Sequence, residues 1–268
     1  MPLIRLLTLL PVLLLAIGGC ASTGGYGEDA RLKEAARYNT QLGINYLQKG
    51  DLQQADDKLG KAVEQDPRSA EAHNAYAILQ ERLGNVDLAR SHYRRATRLD
   101  PDYSEAHNNY GRFLCNQGEL SAAEREFMAA VKNPLYRSPE VAYTNAGICA
   151  LQKPDLDRAE DHLRKALSKN PEYLPALFEM AQLTYDKQHY LQTRAYVQRY
   201  DAARAELVDG ATDARRYHPR ILWLCVQAEQ QLGNRSAASS CALRLKNFFP
   251  QSRETAELLE MERHGRVN

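Results

Sequence analysis

The feature that most constrains this chain is a pattern that returns every 34 residues from about residue 36 onward. Leu42, Gly43, Gly50, Ala55, Leu59, Ala62 and Pro67 are followed one period later by Tyr76, Ala77, Gly84, Ala89, Tyr93, Ala96 and Pro101. A third pass gives Tyr110, Gly111, Leu114, Gly118, Ala123, Phe127 and Ala130. A fourth, offset by the two residues inserted in NPLYRSPE, gives Ala146, Gly147, Ala159, Leu163, Ala166 and Pro171. Small residues at fixed places allow helix axes to approach to about 8 Å, so each unit reads as two packed helices. Gly43, Ala77, Gly111, Gly147 and Ala181 belong where the first helix of a unit meets its second. Ala55, Ala89, Ala123, Ala159 and Ala238 belong where the second meets the next first. Pro67, Pro101, Pro171 and Pro250 end the second helices, because proline lacks the amide donor and restrains the residue before it.

Beyond Tyr173 the pattern weakens. Met180, Ala181 and Val197 keep the frame, Thr193 stands where alanine is expected, and the second helix of this fifth unit runs on through Arg204. The irregular stretch DGATDARRYHP intervenes before Leu222, Cys225, Gly233, Ala238, Leu245 and Pro250 restore the frame. The whole pattern resembles the tetratricopeptide repeat. That resemblance implies an all-α, right-handed superhelical solenoid over residues 29–268, built of about six helix-turn-helix repeats and a C-terminal capping helix between Ser252 and His264. The repeats fall near 36–69, 70–103, 104–139, 140–173, 174–207 and 219–252.

Ahead of the repeats, residues 1–19 read as an export signal: a positive start at Arg5, an apolar run from Leu6 to Ile17, then Gly18 and Gly19. The run is shorter than the roughly 20 apolar residues of a membrane-spanning helix. Leu15-Ala16-Ile17-Gly18-Gly19-Cys20 resembles the lipobox of bacterial lipoproteins, which implies cleavage before Cys20 and acylation of its thiol and new amino terminus. Each buried CH₂ of such chains contributes about 0.8 kcal/mol, enough for a stable anchor once two or more chains are present. Ala21 follows where the retention signal for the inner membrane is Asp, so the resemblance implies the outer membrane, facing the periplasm. Residues 20–28, small and glycine-rich, read as a lipidated tether, with folding expected to begin near Asp29.

Lys and Arg number 35 against 34 Asp and Glu, with no basic run, which argues against nucleic acid as a partner because its binding depends on displacing many counterions. No phosphate loop, nucleophile elbow or H-E-x-x-H motif occurs. The chain is therefore expected not to be an enzyme, and to need no small-molecule substrate, metal or cofactor apart from the lipid on Cys20. His73 and His107 recur one repeat apart, too far for short ligands at about 2 Å to share an ion, and are read as partly buried replacements for an aromatic residue.

In the repeat family, positions 2, 5, 9, 12 and 13 of each first helix face a concave groove. Here they give an apolar line of Ile44, Leu47, Ile78, Ile148 and Leu151, flanked by Asn74, Asn108 and Arg112. Such a line suits an extended peptide, with pockets for side chains and amides for backbone. The other reading is that these residues finish the packing between neighbouring first helices. The four cysteines remaining after Cys20 have no C-x-x-C spacing. Cys115 and Cys149 fall at similar heights on neighbouring first helices, and Cys225 and Cys241 flank one turn, so each pair is placed to form a disulfide or to pack as buried thiols.

The lipobox, the repeats and the blocks NNYGRFLC (108–115), NPLY (133–136) and NAGIC (145–149) together resemble the type IV pilus biogenesis lipoproteins that act as pilotins of the pilus secretin. The resemblance implies binding to secretin subunits, carriage to the outer membrane and promotion of their multimerisation, in support of pilus biogenesis and stability. A lipidated repeat scaffold for β-barrel assembly or for recruiting cell-wall enzymes is the alternative.

Overall fold

A computed structural model describes residues 24–152, 155–206 and 218–265, and these form thirteen α-helices. They pair as α1 (Gly24–Lys49) with α2 (Leu52–Gln65), α3 (Ala70–Arg82) with α4 (Val86–Leu99), and α5 (Ser104–Asn116) with α6 (Leu120–Lys132). The next pairs are α7 (Pro139–Ala150) with α8 (Leu156–Lys169), α9 (Leu174–Asp186) with α10 (Tyr190–Glu206), and α11 (Pro219–Gln231) with α12 (Arg235–Phe248). The last helix, α13 (Arg253–Arg263), packs on α11 and α12 and closes the stack.

Hairpins one, two, three and six turn through one residue in the left-handed region, which glycine enters without steric cost: Gly50 (φ +79°), Gly84 (φ +79°), Gly118 (φ +77°) and Gly233 (φ +71°). In the fifth hairpin Gln188 takes that place at φ +61°, so the turn keeps its geometry without its usual residue. Asp51, Ser69, Asp155, Asn234 and Ser252 cap the helices that follow them by accepting a backbone N–H. Every odd-numbered helix packs against the next odd-numbered one as well as against its own partner, while successive even-numbered helices show no comparable packing. A row whose members touch lies on the inside of a curve, so the odd-numbered helices form the inner wall.

The core runs between the layers as alanines interleaved with Leu59, Tyr93, Phe127, Leu163 and Leu245, all buried to within about one per cent. Tyr93, Tyr110 and Phe113 join hairpins two and three, with ring centroids 5.3–6.3 Å apart. In the fifth hairpin Thr193 is fully buried and its hydroxyl lies 3.1 Å from that of Thr184, which also donates to the Met180 carbonyl at 2.7 Å. The threonine tolerated at the alanine position is thus a satisfied one.

The segment read as a tether to residue 28 is helical from Gly24: α1 propagates backward from its packed half at little cost per residue, helped by Asp29 and Lys33 at 2.8 Å, although residues 27–34 are exposed. Residues 1–19 and Cys20 lie outside the described residues, as does most of the irregular stretch before α11.

Candidate partner-binding wall

The wall is built from one face of α1, α3, α5 and α7, and it sorts the expected groove residues into two kinds. Leu47 is 5% exposed and sits in one cluster with Ala55, Leu59, Ala75 and Leu79, so it is core and not groove. The reason is geometric: position 12 points at the next first helix and not across the open face. Asn74 and Asn108 are likewise buried. Their amide oxygens accept from Asn109 Nδ2 (3.2 Å) and Asn145 Nδ2 (3.0 Å), a ladder that ties α3 to α5 and α5 to α7 instead of awaiting a peptide. Arg112 forms a two-pronged pair with Glu81 at 3.1 and 2.9 Å, and the Tyr93 hydroxyl donates to the same carboxylate at 2.8 Å. Burial beside that carboxylate raises the Tyr93 pKa, holding the phenol as a neutral donor.

Ile44 and Ile78 are half-buried against the core, and Leu151 is half-buried where hairpin four meets the cluster of hairpins four to six. Ile148 is open, at 38% exposure. The wall therefore offers a stepped apolar strip of Ile44, Ile78 and Ile148 rather than a continuous line. Position 13, expected from the repeat to face the groove, contributes a polar margin: Gln48, Arg82, Asn116 and Gln152 are all exposed, one per repeat. Arg82 reaches the Leu47 carbonyl at 2.8 Å, and Asn116 and Gln152 turn their nitrogens toward Glu81 Oε1 (3.5 Å) and Cys115 Sγ (3.3 Å). The amide oxygens of Asn116 and Gln152 remain as acceptors for a bound backbone.

Cys115 is bonded to Cys149, with Cα atoms 5.8 Å apart, joining α5 to α7; Cys225 is bonded to Cys241, with Cα atoms 6.0 Å apart, within the sixth hairpin. His73 and His107 each place Nε2 on a turn carbonyl, Pro67 at 3.1 Å and Pro101 at 3.0 Å. Their Nδ1 atoms meet His92 at 2.8 Å and Glu126 at 2.7 Å, so both rings are fully engaged. In the histidine pair, Nε2–H of His73 donates to the carbonyl, hence its Nδ1 accepts from Nδ1–H of His92. Burial lowers the pKa of both, His92 to about 4. Among the described residues no three His, Cys, Asp or Glu side chains gather as metal ligands.

A tetratricopeptide-repeat family model matches residues 40–104, 77–140 and 116–173. The type IV pilus assembly protein PilF of Pseudomonas aeruginosa is 32% identical over 251 residues, spanning 92% of this chain and 95% of that protein. The chain belongs to the PilF family of tetratricopeptide-repeat proteins in type IV pilus biogenesis. The solved structure of P. aeruginosa PilF superposes with a TM-score of 0.72 at 30% identity, covering 86% of this chain and 99% of that one. PilW, described as a widely conserved type IV pilus biogenesis factor, superposes with a TM-score of 0.71 at 27% identity, covering 84% and 98%. Membership in the PilF family thus extends over nearly the whole stack, including the weak fifth hairpin, and is not confined to the strong repeats.

Proposed function

We propose that this chain is a pilotin: a lipoprotein, acylated on Cys20, that binds type IV pilus secretin subunits, accompanies them to the outer membrane and promotes their multimerisation there. The observation that carries the reading is the end-to-end match to PilF, because a shared repeat alone would be met only between residues 40 and 173. The inner wall supports it by providing what an extended segment needs, apolar steps at Ile44, Ile78 and Ile148 beside exposed amides at Asn116 and Gln152. Lipidation would deliver the pair to its membrane by anchoring one partner while the wall holds the other.

The test uses the full-length chain in cells. Ile148→Asp with Gln152→Ala alters only exposed wall groups, so helicity and melting should stay as in the parent while heat-resistant secretin multimers disappear. Cys20→Ser should abolish lipid labelling and leave the secretin unassembled or in the wrong membrane. Unchanged multimers in both variants would overturn the proposal. So would affinity capture that recovers a β-barrel assembly protein or a murein hydrolase in place of a secretin.

A further inference from the structure

The outer side of the second hairpin carries charge that the inner wall does not use. Asp87, Arg90, His92, Arg94, Arg95 and Arg98 of α4, with Pro67 of the turn between α2 and α3, border an open recess of about 430 Å³, in which four arginines outweigh the one carboxylate. The opposite face of α4, Ala89, Tyr93 and Ala96, is buried, so the arginines are turned outward by the same amphipathicity that packs the helix. Arg90 is held by Glu119 at 2.7 Å. Arg94, Arg95 and Arg98 are exposed and form no ion pair among the described residues; Arg95 donates to the Pro67 carbonyl at 3.5 Å. The contrast with α12 is instructive, since its Arg244 and Lys246 are paired with Asp201 at 2.8 Å and Glu262 at 2.9 Å. In a chain with 35 basic and 34 acidic residues, this unpaired cationic stripe is a local feature and not a consequence of overall charge.

We propose that this recess is a second docking site, separate from the inner wall, that takes an extended acidic segment of a protein partner. The spacing selects the occupant. Arg94 and Arg98, neither of them in an ion pair among the described residues, lie four residues apart, about 6 Å along the helix axis, and alternate side chains of an extended strand recur every 6.6–6.8 Å or so. Carboxylates at every second residue therefore meet successive guanidinium groups, each able to form two charge-assisted hydrogen bonds. A flat anionic bilayer fits the site less well, because the arginines border a recess. In addition, α1 overhangs the level at which α3 and α5 begin by its first twelve residues (24 to 35), about 18 Å, more than twice the Debye length of about 8 Å in physiological salt. A surface meeting α1 end-on is thus screened from the stripe.

The probe is a labelled decapeptide of alternating Asp and Thr, titrated by fluorescence anisotropy into the full chain. Saturable one-to-one binding is expected, weakening as salt rises and falling by about tenfold or more in R94Q/R95Q/R98Q with unchanged circular dichroism. Charge reversal in R94E/R98E should exchange the preference for a Lys-Thr decapeptide, an outcome that a misfolded variant cannot give. Ile148→Asp, which probes the inner wall, should leave decapeptide binding untouched, so the two sites stand or fall separately. The inference is overturned by no binding to the parent chain, by equal binding to the triple variant, or by capture of phosphatidylglycerol vesicles without capture of the peptide.

Discussion

Gly43, Gly111 and Gly147 sit where the two helices of a hairpin approach so closely that one added carbon has no room. A Cβ there would lie 2.5 Å from Leu59, 2.7 Å from Phe127 and 2.7 Å from Leu163 respectively, and each of those side chains is itself buried in the core. Gly111→Ala should therefore destabilise the stack by about 1–3 kcal/mol, read as a shifted denaturant midpoint, because Phe127 has no free space to move into. Gly60, inside α2, has nothing within 4 Å of its would-be Cβ. Gly60→Ala should stabilise by about 0.5–1 kcal/mol through helix propensity alone, and a loss of stability there would refute the distinction. Glu179 gives a second residue-scale prediction. It lies on α9 without a hydrogen bond or ion pair among the described residues, and desolvation raises its pKa above the ordinary 4.5. Its raised folded-state pKa means that the proton is held more tightly in the folded chain, so this contribution to stability is complete below pH 4.5 and is lost as pH rises through the folded value. Glu179→Gln should consequently raise the urea midpoint at pH 7, and the gain should vanish by about pH 4.

At the scale of elements, the helices of the first four hairpins were legible because their identity rests on small residues in fixed places. The sixth was legible as well, once Gly233 and Pro250 restored the frame. What escaped was whatever depends on direction rather than spacing. Leu47 and Asn74 share the wall's periodicity, but whether a side chain points across the groove or along it toward the next helix is decided by the tilt between hairpins, which one sequence does not record. Thr193 weakened the fifth repeat on paper, and only its contact with Thr184 reveals why the position accepts a hydroxyl. The start of α1 at Gly24 was hidden for another reason, since an exposed helical turn added to an existing helix needs no apolar signature. The bond between Cys115 and Cys149 acts at this scale too, because it clamps α5 to α7 across 34 residues of chain. Replacing both with alanine should cost about 2–4 kcal/mol. Hydrogen exchange should rise first in α5 and α7, with α11 and α12 unaffected; a uniform rise along the chain would show that the clamp does not act locally.

The whole molecule is a line of neighbours, each hairpin packing against the next, so its ends are its weakest places. After the sixth hairpin α13 packs on α11 and α12, in the place that the first helix of a further hairpin would take. Leu258 is fully buried in the cluster that includes Trp223 and Leu245, and Thr255 fixes the helix by donating to the Phe249 carbonyl at 2.7 Å. Ending the chain after Gln251 removes that cover and re-exposes an apolar face whose burial of Leu258 alone contributes about 1.5–3 kcal/mol. In a stack held by nearest neighbours the loss should stay near the cut. Amides of α11 and α12 should lose protection, a low-temperature melting step should split from the main transition, and α3 to α6 should keep their exchange rates. The proposed partner-binding wall of hairpins one to four would then keep its structure even though the end of the stack is frayed. If protection instead falls equally from α3 to α12, the hairpins unfold as one unit, and a local disturbance anywhere in the stack reaches the wall.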